Sequence, residues 1–315
     1  VALGTPYITV QMLENAPTGA SWEIVPEPGA DSESNTAELT NICWRATSII
    51  DTYCNQVLRA TVDTEYLTGP GSFRVGVVPG TDITRLVMRR WPVTQVLAVQ
   101  TSATCSFPRS WTAVPSGLYD VEHPLINSLT DTASATLPDG GWSIQVAPGY
   151  VPPLRCGRNS TRVQVSYTNG WPHTSLTQAA TAGQTVLHVD DVTGYAGANA
   201  FVYDGAVTEP VSVLSVAATT PLVLPNGAGT AQTGPGTITL SSGLVNPHAA
   251  GVVVSSLPAN VIWAAACAAA AQVLEAGITS ISIDTMPGSV SEGGKGVEDL
   301  ITEYEVLLAP FRRVA

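Results

Sequence analysis

Lysine is almost missing from this 315-residue chain: Lys295 is the only one, and charged residues of all kinds make up 12%. A protein that grips nucleic acid through its phosphates needs a basic face, and a net charge of −12 leaves little room for one. Cysteine is scarce too. Five residues, an odd number with no C-x-x-C pair, argue against a disulfide framework or a zinc site and imply a reducing compartment, the cytosol. Long apolar runs are absent. The most membrane-like stretch, 260–274, is mostly alanine and falls short of the roughly 20 strongly apolar residues that a span requires. No charged segment followed by an apolar one opens the sequence, so no secretory leader is expected.

Catalytic signatures are equally sparse. There is no G-x-S-x-G elbow. Gly293-Gly-Lys-Gly lacks the earlier glycine and the Ser/Thr of a phosphate loop and reads as a linker. His123, His173, His188 and His248 are scattered without metal-ligand spacing. Asp190-Asp191 and the pair Asp120 and Glu122 are tight acidic pairs. Asp190-Asp191 ends a strand and reads as a solvated turn, with a calcium ligand or acid–base pair as the alternative. Asn159-Ser-Thr matches a glycosylation triplet, but nothing else suggests secretion. No enzyme activity, catalytic residue, cofactor or metal is expected, which points to a structural or assembly role.

What is present begins with a helix. Over 35–58, Leu39, Ile42, Cys43, Ala46, Ile49, Ile50, Tyr53, Cys54 and Val57 recur at three- and four-residue steps, the spacing of one buried stripe. Asn35 stands as its N-cap, with Glu38 placed to reach back to the first turn. Cys43 and Cys54 share the buried face as small hydrophobes. Before the helix, 1–32 reads as an N-terminal arm or loop, either on the surface or ordered by a neighbouring subunit.

Short β-like runs follow, of which 162–171 is the clearest. Val163, Val165 and Tyr167 alternate with Gln164, Ser166 and Thr168, and Asn169-Gly170 marks the stop. They predict a small antiparallel unit, partly one-sided. At about residue 173 the composition turns to Thr, Ser, Val, Ala and Gly, and 173–257 contains no Lys or Arg. Six strand candidates there have the spacing of a β-sandwich or barrel. Helical periodicity returns at 259–276 and 297–308, the first Ala-rich and open to close approach by another helix. The reading is an α+β fold: a helical core with a small antiparallel β unit (33–172 and 258–315) and an inserted all-β, sandwich- or barrel-like domain (173–257).

Charge is uneven: −5 over 1–60, +1 over 61–172, −4 over 173–257 and −4 over 258–315. Arg85, Arg89, Arg90, Arg155, Arg158 and Arg162 concentrate the positive charge. They read as solvated strand faces with local ion pairs, as a docking surface for an acidic neighbour, or as a grip on DNA.

The order of several weak motifs resembles the head-to-tail adaptor (connector) proteins of long-tailed bacteriophages. The stretches that carry it are Ala46-Thr-Ser-Ile-Ile-Asp-Thr-Tyr-Cys, Leu86-Val-Met-Arg-Arg-Trp-Pro-Val-Thr-Gln-Val-Leu-Ala-Val, Gly117-Leu-Tyr-Asp-Val-Glu, Val163-Gln-Val-Ser-Tyr-Thr-Asn-Gly-Trp-Pro and Leu257-Pro-Ala-Asn-Val-Ile. Within 173–257, Ala182-Gly-Gln-Thr-Val-Leu-His-Val-Asp-Asp, Glu209-Pro-Val-Ser-Val-Leu-Ser-Val and Leu244-Val-Asn-Pro-His-Ala-Ala-Gly-Val-Val look like a β module recurrent in phage virion proteins. The resemblance implies a ring, usually of twelve copies, beneath the portal protein at the virion neck. Such a ring extends the channel through which genomic DNA passes without specific binding, and it offers a surface to the next neck or tail-completion protein. It nominates Phe311, Arg312 and Arg313 as portal anchors. Ala265 and Ala269 are expected in helix contacts between subunits, with Arg85, Arg89 and Arg90 docking a partner. The insertion would face a capsid or decoration protein. The alternative reading is a receptor- or carbohydrate-binding virion protein that uses the β module.

Overall fold

The apolar stripe read from 35–58 becomes α2 (Asn35–Cys54), with Leu39, Ile42, Cys43, Ala46, Ile50 and Cys54 buried. The computed structural model describes residues 4–18, 22, 25, 35–68, 75–77, 84–102, 109–122, 143–148, 162–205, 207–275 and 296–313. Among them it is a mixed α+β chain with four helices and several antiparallel sheets. The other helices are α1 (Val10–Glu14), α3 (Ala259–Glu275) and α4 (Val297–Leu308).

Helices do not dominate. Their hydrophobic cluster is one of three, and the other two are built from strands. Within the helical cluster the centre is α3, packed against both α2 and α4. Val261, every residue from 264 to 271 and Val273 are buried. Alanine on every side lets two neighbours approach at once, and a helix apolar all round belongs inside. Glu38 turns along the helix to accept hydrogen bonds from Asn41 and Arg45, which hold its carboxyl below the usual range.

The expected N-terminal arm is also corrected in its described part. Tyr7, Ile8, Leu13, Trp22 and Val25 are buried in the helical cluster, and Thr9 caps α1 by accepting from the Met12 amide at 3.3 Å. Large apolar side chains close to a polar, Pro-rich stretch had hidden a core segment.

Eight strands build the second cluster as two four-stranded antiparallel sheets. The first, ordered β1-β8-β4-β5, contains β1 (Thr61–Thr68), β4 (Val93–Ser102), β5 (Thr112–Ala113) and β8 (Arg162–Asn169). The second, ordered β2-β3-β7-β6, contains β2 (Val75–Val77), β3 (Thr84–Val87), β6 (Tyr119–Glu122) and β7 (Ser143–Val146). Sequence patterning missed β1 because its core-facing row contains Asp63 and Glu65, opposite Tyr167 and Val165. Both acids are satisfied locally. Asp63 accepts from Asn169 Nδ2 at 2.6 Å, and Glu65 accepts from the Tyr167 hydroxyl and from the Arg89 amide at 2.7 Å.

The third cluster lies in a six-stranded sheet that curls into a half-barrel. Its strands are β9 (His173–Ser175), β10 (Val186–Val189), β11 (Asn199–Asp204), β12 (Val207–Ala218), β15 (Gly236–Leu240) and β16 (Val253–Ser255), ordered β10-β15-β12-β11-β16-β9. Its two edges approach at one point, where Leu176 bridges to Val189 and Thr177 donates to the His188 carbonyl at 2.9 Å. A separate hairpin, β13 (Leu222–Val223) and β14 (Thr230–Ala231), stands on it.

The turn inside that hairpin overturns the one-sided reading of β8. Gln164, Ser166 and Thr168 are buried as completely as Val163, Val165 and Tyr167. Gln100 Nε2 donates to the Asn226 carbonyl and Gln164 Nε2 to that of Pro225, each at 3.3 Å, while Asn226 Nδ2 returns a bond to Gln164. A polar sheet face is covered here by polar backbone.

Candidate functional site

Parts of the chain singled out in the sequence meet at the C-terminal end of α2. The helix stops in a Schellman arrangement: Asn55, at φ 53°, donates to Thr52 O at 3.2 Å and Gln56 to Asp51 O at 3.1 Å. Two of the four end carbonyls are thereby satisfied, and the chain termini supply further partners. The Arg313 amide donates to Cys54 O at 2.9 Å, and Gln56 Nε2 donates to Phe311 O at 3.1 Å.

From the other terminus comes Tyr7. Its amide donates to Thr47 Oγ1 at 2.9 Å, and its hydroxyl donates to Asp51 Oδ1. The same oxygen accepts the amides of Leu58 at 2.8 Å and Arg59 at 3.2 Å. One donor and two acceptor sites are the whole capacity of a phenol, so the group is saturated. Burial, reinforced by the Asp51 charge, pushes the Tyr7 phenol well up. Burial also raises the Asp51 carboxyl, although the Tyr7 hydrogen bond opposes it.

Beside Tyr7, edge-on at 5.9 Å, lies the buried ring of His173. Its Nε2 contacts the Pro6 carbonyl at 2.8 Å and its Nδ1 the Ser255 hydroxyl at 2.9 Å. A carbonyl only accepts, so Nε2 carries the proton and the ring is neutral. Burial brings its pKa down to about 4, aided by the Arg59 charge and opposed by the Pro6 bond.

Gly170 closes the junction. At φ +82° it lies against the backbone of 58–59, and a Cβ there would fall 2.5 Å from the Arg59 carbonyl oxygen. Only glycine fits. It lets Trp171 pair with the strand start, donating to Leu58 O at 2.9 Å and accepting from the Ala60 amide at 2.7 Å.

The nominated residues divide sharply. Phe311 is 1% exposed, its ring edge-on to Trp171 at 5.5 Å. It is a core residue, not a free anchor, because the turn after α4 folds back onto the bundle. Arg312 is exposed and sits over the Tyr53 ring at 5.4 Å, and Arg313 is half-buried. Ala265 and Ala269 are 0% exposed, already covered by this chain's own helices instead of awaiting another subunit. Arg90 pairs with Asp63 at 3.2 Å, Arg89 is exposed, and Arg85 is half-buried on β3. Arg155, Arg158, His123, Asn159 and the 293–295 part of the glycine-rich loop lie outside the described residues.

Cys43 and Cys54 behave as the buried hydrophobes expected, their thiols pushed up to about 12 by burial. Asp191 is a turn residue. Its Oδ1 accepts the Thr193 and Gly234 amides at 2.9 and 3.0 Å.

One cluster escaped sequence reading altogether. His248 is buried with Nδ1 3.0 Å from Asp204 and Nε2 3.2 Å from Glu209, which also accepts the Asn246 amide at 3.0 Å. These residues share no spacing signal; the β11–β12 hairpin places Asp204 near Glu209, and the pairing of His248 with Ala180 brings the imidazole to them. The arrangement clips the 244–248 loop to that hairpin. Among the described residues no group of three or more His, Cys, Asp or Glu is placed to hold a metal ion.

Comparisons of the chain with models of protein families, with curated proteins and with solved structures find no significant match.

Two outcomes follow from the junction. Tyr7→Phe removes the hydroxyl shared by the half-buried Asp51 carboxylate and the Leu58 and Arg59 amides, so it should lower stability by about 2 kcal/mol in denaturant unfolding. His173 gives a pH signature. The unfolded chain, with a histidine near 6.5, takes up its proton before the native state does. Stability from the neutral ring is therefore complete above about pH 6.5 and lost progressively down to about pH 4, by up to about 3 kcal/mol. Asp51 titrates with the opposite sign, so the contribution is read as the steeper acid loss of the native chain relative to His173→Gln. Equal slopes would exclude it.

Proposed function

We propose that this chain is a head-to-tail adaptor of a bacteriophage neck. It is a non-enzymatic structural protein that assembles as a ring beneath the portal, extends the DNA channel and links the capsid to the next neck or tail-completion protein. The fold reading that goes with it is an adaptor core, 33–172 and 258–315, into which a β domain, 173–257, is inserted.

The observation that supports this most is the convergence of the motifs. The stretches that carry the resemblance are far apart in sequence, yet two of them, 86–99 and 163–172, are directly bonded, and residues flanking two others, 46–54 and 257–262, are bonded to the second. The Gly170 amide donates to Pro92 O at 2.9 Å, Trp171 to Leu58 O at 2.9 Å, Ser256 to Pro172 O at 2.8 Å and Leu257 to Ser255 Oγ at 3.0 Å. The pairing of β9 with β16 also brings the two ends of 173–257 side by side, as an insertion requires.

Portal attachment in this reading falls to Arg312 and Arg313 at the exposed end of the bundle, with the buried Phe311 holding them in place. A rigid aromatic base beneath two arginines suits an interface hot spot. A second reading, carbohydrate binding by the β module, draws on Phe201 and Tyr203, whose rings lie 6.1 Å apart with Phe201 45% exposed. Retention of the protein on host-surface polysaccharide would favour it.

Negative-stain imaging and co-sedimentation with purified portal test the first reading. The wild type should form rings on the portal. Arg312→Ala with Arg313→Ala should lose attachment while keeping the native melting curve. Truncation before Phe311 should instead cost about 3 kcal/mol of stability, because a buried aromatic is removed. Attachment unchanged by the double substitution would end the anchor role. Virions carrying the protein only at a fibre tip would end the adaptor reading.

A further inference from the structure

Residues 173–257 hold four acids and no Lys or Arg, and two of those acids, Asp204 and Glu209, face one buried ring. The His248 side chain is 0% exposed, with Nδ1 3.0 Å from Asp204 Oδ2 and Nε2 3.2 Å from Glu209 Oε2. Glu209 also accepts from the Val245 amide, and from the Asn246 amide and Nδ2 at 3.0 and 3.2 Å. Burial would raise the Glu209 carboxyl, but the Val245, Asn246 and His248 bonds outweigh it and hold it below its ordinary range. The backbone of His248 is fixed separately: its amide and its carbonyl both pair with Ala180, each at 2.8 Å. Among the described residues no other titratable group is bonded to the ring. The segment 176–184, which carries Ala180, and the loop residues 244–247 contain no ionisable side chain. From α1, the uncharged Gln11 approaches the hairpin turn at Gly205.

We infer that His248 is a proton-dependent latch: the 244–248 loop closes onto the β11–β12 hairpin while the imidazole carries both ring protons, and is released when it loses one. An ionised carboxylate only accepts hydrogen bonds, whereas a neutral imidazole has one donor and one acceptor nitrogen. A neutral ring would therefore turn a lone pair toward Asp204 or Glu209 where a hydrogen bond now stands. The doubly protonated ring answers both acids, and with no Lys or Arg in 173–257 it is the positive charge set between them. Histidine is the side chain whose ordinary titration falls between about pH 5 and 8, so this closure responds to pH where a lysine in its place would not. A bond that needs the added proton contributes on the acid side of that titration and is lost as pH rises through it. Glu209 acts in the opposite sense: its bonds are lost as pH falls through its depressed range. The latch is closed over the band between the two. Opening reaches the interior, because Leu244 at the start of the loop is buried in the half-barrel cluster. The inference does not depend on what the chain assembles with.

Nitrogen-15 NMR of the uniformly labelled full chain across about pH 5–8 tests it, with His248→Gln identifying the ring signals. At the acid end both His248 nitrogens should carry protons. As pH rises one proton should leave, and the Val245 and Asn246 amide signals should move along the same curve. In His248→Gln those amides should stay still over the whole range. Asp204→Asn gives a second reading should that variant fail to fold. A side chain that donates as well as accepts no longer requires the second ring proton, so the proton affinity of the ring should fall about tenfold, while the Val245 and Asn246 amides keep their bonds to Glu209. A ring with a single proton at the acid end overturns the latch. So do loop amides that ignore the ring's titration, or an affinity unchanged in Asp204→Asn.

Discussion

The hydroxyl of Tyr7 is the point on which the arrangement depends. It joins a residue near one terminus to Asp51 at the end of α2 and to the amides that begin the path into β1. A helix end buried without partners for its polar groups is costly. Here those partners come from both terminal segments, so the interior of α2 is secured by residues more than 250 positions apart in the case of Cys54 and Arg313. The consequence is a helical cluster that takes its final form only when both terminal segments are in place.

The half-barrel is attached to the rest by chemistry of another kind. On one side His173 and Ser255 tie β9 and β16 to Pro6 and Leu257. On the other, the Pro225–Gly227 turn meets the Gln100 and Gln164 amides. Among the described residues Gln100 Oε1 and Ser102 Oγ are buried without a hydrogen-bond partner. A contact of this polarity specifies orientation better than it adds stability, since each amide exchanges water for a carbonyl with a small net gain. The main apolar cluster of this part lies inside the half-barrel.

Much of this was legible from the residues. The stripes of α2 and α4, the strands at 84–87, 93–102, 143–146 and 162–169, and the change of composition at 173 follow from periodicity and turn chemistry. What was not legible depends on partners distant in sequence. Phe311 reads as a free anchor until Trp171 is placed beside it. Gln164, Ser166 and Thr168 read as a wet face until the 225–227 turn meets Gln164 and Thr64 meets Ser166. Asp63 and Glu65 break the apolar alternation of β1, and only Asn169, Arg90 and Tyr167 show how a strand accommodates them. Ala265 and Ala269 gave the right chemistry, close helix approach, and the wrong neighbour. The site at the end of α2 was foreshadowed by its motif, but no local pattern announced Tyr7.

The placement of α3 has a consequence for biosynthesis. Its sequence emerges about 200 residues after that of α2, which at 5–20 residues per second is a delay of about 10–40 s. Throughout that interval the stripe of Leu39, Ile42 and Ile50 lacks the alanine-rich surface that covers it. The nascent polypeptide therefore carries an uncovered greasy seam throughout that interval, a natural substrate for holding chaperones until α3 leaves the ribosome.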